Sequence, residues 1–305
     1  MPPKSMGSHS QNTAQSSPPD SISSRAKAHV RDKVQKAAPW LEKFARFGYF
    51  CKGIMYLTIA FLAIRGVLQE GRNPTDQRGA LEYLGRNTFS DVMLVVLAIG
   101  LLGYSLWQFL RAFLDPEGQG KKLKGIFKRM GYAFSGAAYL TLSWAAVRVS
   151  LLKDHVWDQN SEEHWTARIL ELPAGREMVG LLGLVFLALA LNQIYVAVKG
   201  SFMKHMESWH LNRHQQTAMV VVGRIGILAR GLVVGMVGWL FLKAAWYIDA
   251  EKAGGMSEAI RSFERAPGGV IAYSLIALGM LLYGLYAWIQ AAYRRIPLQD
   301  SSQQA

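Results

Sequence analysis

Hydrophobic positions in this chain are gathered into six long runs separated by polar stretches. The runs cover residues 47–68, 92–113, 133–152, 178–198, 225–248 and 270–292. Each is close to the ~20 residues that an α-helix needs to cross a bilayer core. The pattern therefore predicts an all-α fold, a polytopic membrane helix bundle with six transmembrane helices.

The runs are not independent. The first opens on Arg46-Phe47-Gly48-Tyr49 with Gly53 and Tyr56 following. The third opens on Arg129-Met130-Gly131-Tyr132 with Gly136 and Tyr139, and the fifth on Arg224-Ile225-Gly226-Ile227 with Gly231 and Val234. The three copies align without a gap, and each is followed by a second apolar run. This gives three tandem two-helix repeats at 46–115, 129–202 and 224–293, with an expected pseudo-threefold arrangement. Residues 1–24 are rich in Ser, Pro and Gln and are expected to be disordered. Residues 25–45 read as a basic amphipathic segment, interrupted by Pro39, lying on anionic headgroups with Trp40 at the interface. Residues 294–305 form a C-terminal tail.

Counted from the motif arginine as zero, positions 7 and 14 hold Gly53 and Ala60, Gly136 and Ser143, and Gly231 and Gly238. With the tyrosines at positions 3 and 10 they share one helical stripe. Small residues at this spacing let helices approach closely in lipid, so the stripe predicts a packing seam, with a ligand groove as the sharper alternative. Position 19 holds a cation in every copy, Arg65, Arg148 and Lys243, four residues after an aromatic one. These three are candidate contacts for headgroups or for an anion. In the second helices, Gly100, Tyr104, Trp107 and Arg111 correspond to Gly279, Tyr283, Tyr286 and Gln290, and the middle copy offers Asn192 at the tyrosine position. Each loop within a pair reads as a short amphipathic helix on the outer surface.

Charge orients the bundle. Net charge is +13, with 34 Lys+Arg against 21 Asp+Glu. Residues 1–46 carry eight basic and three acidic residues, 111–129 six and two, and 199–224 four and one. The alternate loops carry three and four (70–91), three and six (153–177) and three and four (249–265). Lys and Arg favour the cytoplasmic side, which places both termini in the cytoplasm and removes the need for a nucleic-acid partner. The expected partners are the bilayer, anionic headgroups at the cytoplasmic face, and a membrane protein or a second copy. The one cysteine, Cys51, excludes an intrachain disulfide.

The R-x-G-Y-x-x-x-G-x-x-Y opening, the loop Gly79-Ala80-Leu81 and the second-helix residues Gly100, Tyr104 and Trp107 resemble the family known as domain of unknown function 1206. The resemblance covers about 46–293 and implies a bacterial inner-membrane protein of three two-helix units. It brings no activity with it. The middle copy departs most, lacking G-A-L and G-x-x-x-Y.

Nucleotide, zinc-protease and nucleophile-elbow motifs are missing, and carboxylates are almost absent from the apolar runs. No catalytic residue, metal ligand or cofactor is assigned; His205, His210 and His214 read as solvated interfacial residues. Two functions stay open: a non-enzymatic scaffold or accessory subunit that binds lipid or a partner, and a transporter or channel for a small solute or anion.

Overall fold

The computed structural model describes residues 22–68, 77–85, 90–116, 120, 123–151, 161–207, 211–265 and 268–295. The expected disorder of 1–24 falls outside these residues up to 21. Nine α-helices occur among the described residues: α1 (Ile22–Leu68), α2 (Gln77–Gly85), α3 (Ser90–Phe113), α4 (Leu123–Leu151), α5 (Ser161–Leu170), α6 (Gly175–Lys199), α7 (Arg213–Tyr247), α8 (Met256–Glu264) and α9 (Gly269–Tyr293). The chain divides into two compact units, residues 1–37 and 38–305. In the first, 22–37 is helical and carries Arg25, Lys27, Arg31, Lys33 and Lys36. The bundle of packed helices lies within the second, from residue 38 onward.

Helix α1 runs through Pro39 rather than breaking there. A proline removes one helical hydrogen bond, and the surrounding Lys, Ala, Leu and Glu residues are good helix formers. Helix α7 starts twelve residues before the apolar run. Asn212 caps it, accepting from the Gln215 backbone N–H at 3.0 Å, while the Gln215 side chain accepts from the Asn212 N–H at 3.2 Å. This reciprocal box satisfies two orphan donors and lets the helix extend into the polar loop.

Five helices are long and apolar enough to cross a membrane, in α1, α3, α6, α7 and α9. Helix α4 has the length, but Lys124, Lys128, Arg129, Ser135, Thr141, Ser143 and Arg148 dilute its apolar character. Between paired long helices lie α2, α5 and α8. Ala80 and Leu81 of α2 are fully buried, as is Ala259 of α8, so these short helices are tucked in along one face rather than lying free on the surface.

Small residues set the contacts between long helices. A Cβ on Gly48 of α1 would lie 2.6 Å from the Tyr104 backbone nitrogen of α3. Ser105 and Ser143 donate between α3 and α4, to the Gly136 and Ala98 carbonyls, each at 2.7 Å. Phe134 of α4 meets Phe186 of α6 edge to face at 5.6 Å. Gly183 of α6 and Gly238 of α7 leave no room for side chains, a Cβ on either lying 2.9 Å from the other's carbonyl oxygen. A Cβ on Gly226 of α7 would lie 2.6 Å from Tyr283 Cα on α9. Helix α9 returns to α1, where Trp288 Nε1 donates to the Phe50 carbonyl at 3.1 Å.

The motif arginines reach across units. Arg46 donates to the Ala291 and Ala292 carbonyls at 3.1 and 2.6 Å, at the end of α9. Arg129 donates to the Ala112 and Phe113 carbonyls at 2.6 and 3.1 Å, at the end of α3. The Arg224 guanidinium sits against Gly200, the left-handed cap (φ +68°) that ends α6. All three sit at the negative end of a helix dipole, and Arg46 and Arg129 satisfy carbonyls that have no intrahelical partner.

Candidate functional site

Inside this packing lies a cationic centre walled by tyrosines. Lys52 projects from α1 and is 4% exposed. Its Nζ donates to the Tyr104 hydroxyl at 3.1 Å. It also faces four tyrosine rings, those of Tyr104 at 4.7 Å, Tyr283 at 5.1 Å, Tyr139 at 5.7 Å and Tyr49 at 5.9 Å. Four helices, α1, α3, α4 and α9, thus surround one ammonium.

Arg230 of α7 is the second cation and is half-buried. Its Nε donates to the Tyr56 hydroxyl at 3.1 Å, and its Nη1 to Gln193 Oε1 at 2.5 Å. Its guanidinium faces the Tyr283 ring at 5.3 Å, so Lys52 and Arg230 share one aromatic wall. The Tyr56 hydroxyl accepts again, from Gln77 Nε2 of α2 at 3.2 Å. Edge-to-face contacts tie the rings together, Tyr56 to Tyr283 and Tyr104 to Tyr139 at 4.6 Å each and Tyr49 to Tyr104 at 5.0 Å. The Tyr139 hydroxyl is buried in the same cluster.

The two cations are repeat equivalents. Both stand at position six, where the middle copy has Ser135. Six residues rise about 9 Å along a helix, so both sit well inside the apolar layer relative to the motif arginines. Among the described residues the ion pairs join other groups, and no carboxylate faces Lys52 or Arg230. Burying an ion costs several kcal/mol unless it is paired. Aromatic faces at roughly 0.5–2 kcal/mol each offset part of this. The arrangement is complementary to an acceptor group carrying negative charge.

Of the residues singled out in the sequence, Tyr49, Tyr56 and Tyr139 come together here. Tyr132 lies elsewhere, 3.6 Å under the Arg111 guanidinium. Gly53 abuts Trp288, Gly136 abuts Phe109 and Gly231 faces Gln193 and Ile194. Ala60 is fully buried. The position-19 cations are not part of the centre: Arg65 is exposed, Arg148 and Lys243 are half-buried, and the aromatic residues before them, Phe61, Trp144 and Trp239, are exposed. Asn192 is exposed, and its neighbour Gln193 makes the cross-helix bond instead. Sequence reasoning passed over Lys52 and Arg230. Their signal was available, an ionisable residue inside an apolar run at the same register of two copies.

The apolar helices and their buried polar centre define a multi-pass α-helical membrane protein. The chain belongs to the family described as Domain of Unknown Function (DUF1206), whose model matches three times, at residues 47–115, 130–200 and 225–294. It is similar to "Uncharacterized protein YxxB" of Bacillus subtilis (strain 168), with 32% identity over 266 residues, 86% of this chain and 94% of the relative. No solved structure matches it.

Proposed function

We propose that this is a non-enzymatic inner-membrane protein that binds a small anion between Lys52 and Arg230 and carries it across the bilayer. The observation behind this reading is the pair of cations on one tyrosine wall, without a carboxylate among the described residues. Donors are few and the remaining lining is aromatic. That favours a weakly hydrated monovalent anion, of halide or nitrate size, over one needing many hydrogen bonds. This is the second of the two functions left open by the sequence. The scaffold reading rests on packing seams, headgroup anchors and the lack of a reactive centre in the sequence.

The architecture we propose has six spans, α4 included, with both termini cytoplasmic and three helix pairs about a pseudo-threefold axis. The alternating Lys/Arg bias supports the orientation. The contact order α1, α3, α4, α6, α7, α9 and back to α1 supports closure. So does the reach of each motif arginine to the second helix of the preceding pair. Parallel repeats about such an axis build transporters. Arg65, Arg148 and Lys243 then serve as anchors to headgroups, with their aromatic neighbours in the interfacial belt.

The test is thermal melting of the purified protein in detergent with sodium nitrate or sodium gluconate at matched ionic strength. A ligand at one hundred times its Kd stabilises by about 2.7 kcal/mol, so nitrate is expected to raise Tm. Lys52→Met and Arg230→Met are expected to abolish the difference. Equal melting of the wild-type protein in both salts would contradict anion binding and favour the scaffold.

A further inference from the structure

The central pair is not the whole of the buried positive charge. Every charged side chain buried among the described residues is cationic: Lys52, Arg111 and Arg294. Arg111 and Arg294 lie toward the helix ends assigned to the cytoplasm, Arg111 in the last turn of α3 and Arg294 just past α9. Tyr49 links Arg294 to the centre. The Arg294 guanidinium faces its ring at 5.3 Å and Lys52 Nζ faces it at 5.9 Å.

A second observation points the same way. On α3, Tyr104, Trp107, Gln108 and Arg111 are spaced at three and four residues, so they form one stripe leading from the centre to the helix end. All four are buried. Arg111 Nη1 donates to Gln108 Oε1 at 2.7 Å. The Trp107 indole N–H, 1% exposed as a residue, has no hydrogen-bond partner among the described residues. An indole N–H only donates, and a buried donor left unmet is costly, so this position calls for an acceptor. Tyr283, Tyr286 and Gln290 form the matching buried stripe on α9.

Resting on the reading of the centre as an anion site, we infer that a second station for the same anion lies on its cytoplasmic side. Trp107, Arg111 and Arg294 form this station, and Tyr49 separates it from Lys52. An anion leaving Lys52 moves past Tyr49 to a second set of donors instead of crossing apolar wall. Two stations at successive depths also allow one bound anion to displace the next, which conduction requires.

The experiment uses the full-length protein in liposomes and reads nitrate influx by quenching of an entrapped dye. Nitrate affinity is measured in parallel from melting in detergent. The variants are Trp107→Phe, which keeps the ring and removes the donor, Arg111→Gln, and Arg111→Lys, which keeps the charge. Fields focused by charge-lined clefts change anion rates by factors of ten or more, so Arg111→Gln is expected to slow influx about tenfold. Trp107→Phe removes a buried donor to the anion and is expected to slow influx by about the same factor. Nitrate affinity at the centre stays within about twofold of wild type, and Arg111→Lys restores most of the rate. Wild-type influx in Trp107→Phe and Arg111→Gln, with nitrate binding intact, would overturn the second station alone. So would a loss of melting temperature and nitrate affinity together in both variants, which marks a structural role. Absence of nitrate binding to the wild-type protein would overturn the central site and the second station together.

Discussion

Lys52 is a cation buried among tyrosine rings, and this makes its removal informative. Replacing buried ions by apolar residues of similar volume is often neutral or stabilising by about 1–4 kcal/mol, whereas breaking a buried pair costs about 3–5 kcal/mol. In gluconate, Lys52→Met should therefore melt at or above the wild-type temperature, as read by calorimetry in detergent. A fall of many degrees would mean that Lys52 neutralises a carboxylate of this chain, and the anion would be unnecessary. The sequence displays Lys52 and Arg230 openly, as charges inside apolar runs. It does not display that α1 and α7 turn them toward one ring, Tyr283, contributed by a third helix more than 50 residues away from either. Nor does the sequence distinguish Tyr139, which lines the centre, from Tyr132, which stacks on Arg111. Positions 3, 6, 7 and 10 all fall on one broad face at the helical period, so the motif alone does not sort them.

At the scale of elements, the small-residue stripe does different work at different places. Gly238 faces backbone: a Cβ there would lie 2.9 Å from the Gly183 carbonyl oxygen and 2.9 Å from the Leu187 nitrogen. Gly231 faces the side chains of Gln193 and Ile194 at 3.3 and 3.4 Å, which can shift by a few tenths of an ångström. Overpacking against a rigid neighbour costs about 1–3 kcal/mol. Gly238→Ala should lower Tm by several degrees while Gly231→Ala leaves it nearly unchanged. Equal effects would show that the α6–α7 approach is not the limiting contact. The motif arginines give a second element-scale test. Arg129 supplies two charge-assisted bonds to the end of α3, each worth about 1.5–3 kcal/mol. Arg129→Gln should destabilise the protein measurably in the same assay, and an unchanged melting curve would remove the capping role. The motif itself predicts that arginine opens each pair. That it caps the helix of another pair is a tertiary fact that no local pattern carries.

For the whole molecule, the hydrophobic runs predict the long apolar helices and the repeat predicts their pairing with short helices between, while boundaries such as the start of α7 follow from capping chemistry at Asn212. Helix α4 is where polarity alone is ambiguous, because its serines and glycines serve the α3 contact at the expense of apolar character. Reporter fusions settle its path. Fusions at 118 and 210 should report cytoplasm and those at 160 and 255 periplasm; a cytoplasmic signal at 160 would mean that α4 does not cross. The most direct measurement on the function is anomalous diffraction from crystals of the wild-type protein grown in bromide, a small monovalent anion with a usable absorption edge. The expected result is an anomalous peak in contact with Lys52 Nζ and the Arg230 guanidinium. A carboxylate side chain of this chain filling that position, with no bromide peak inside the helices, would contradict it.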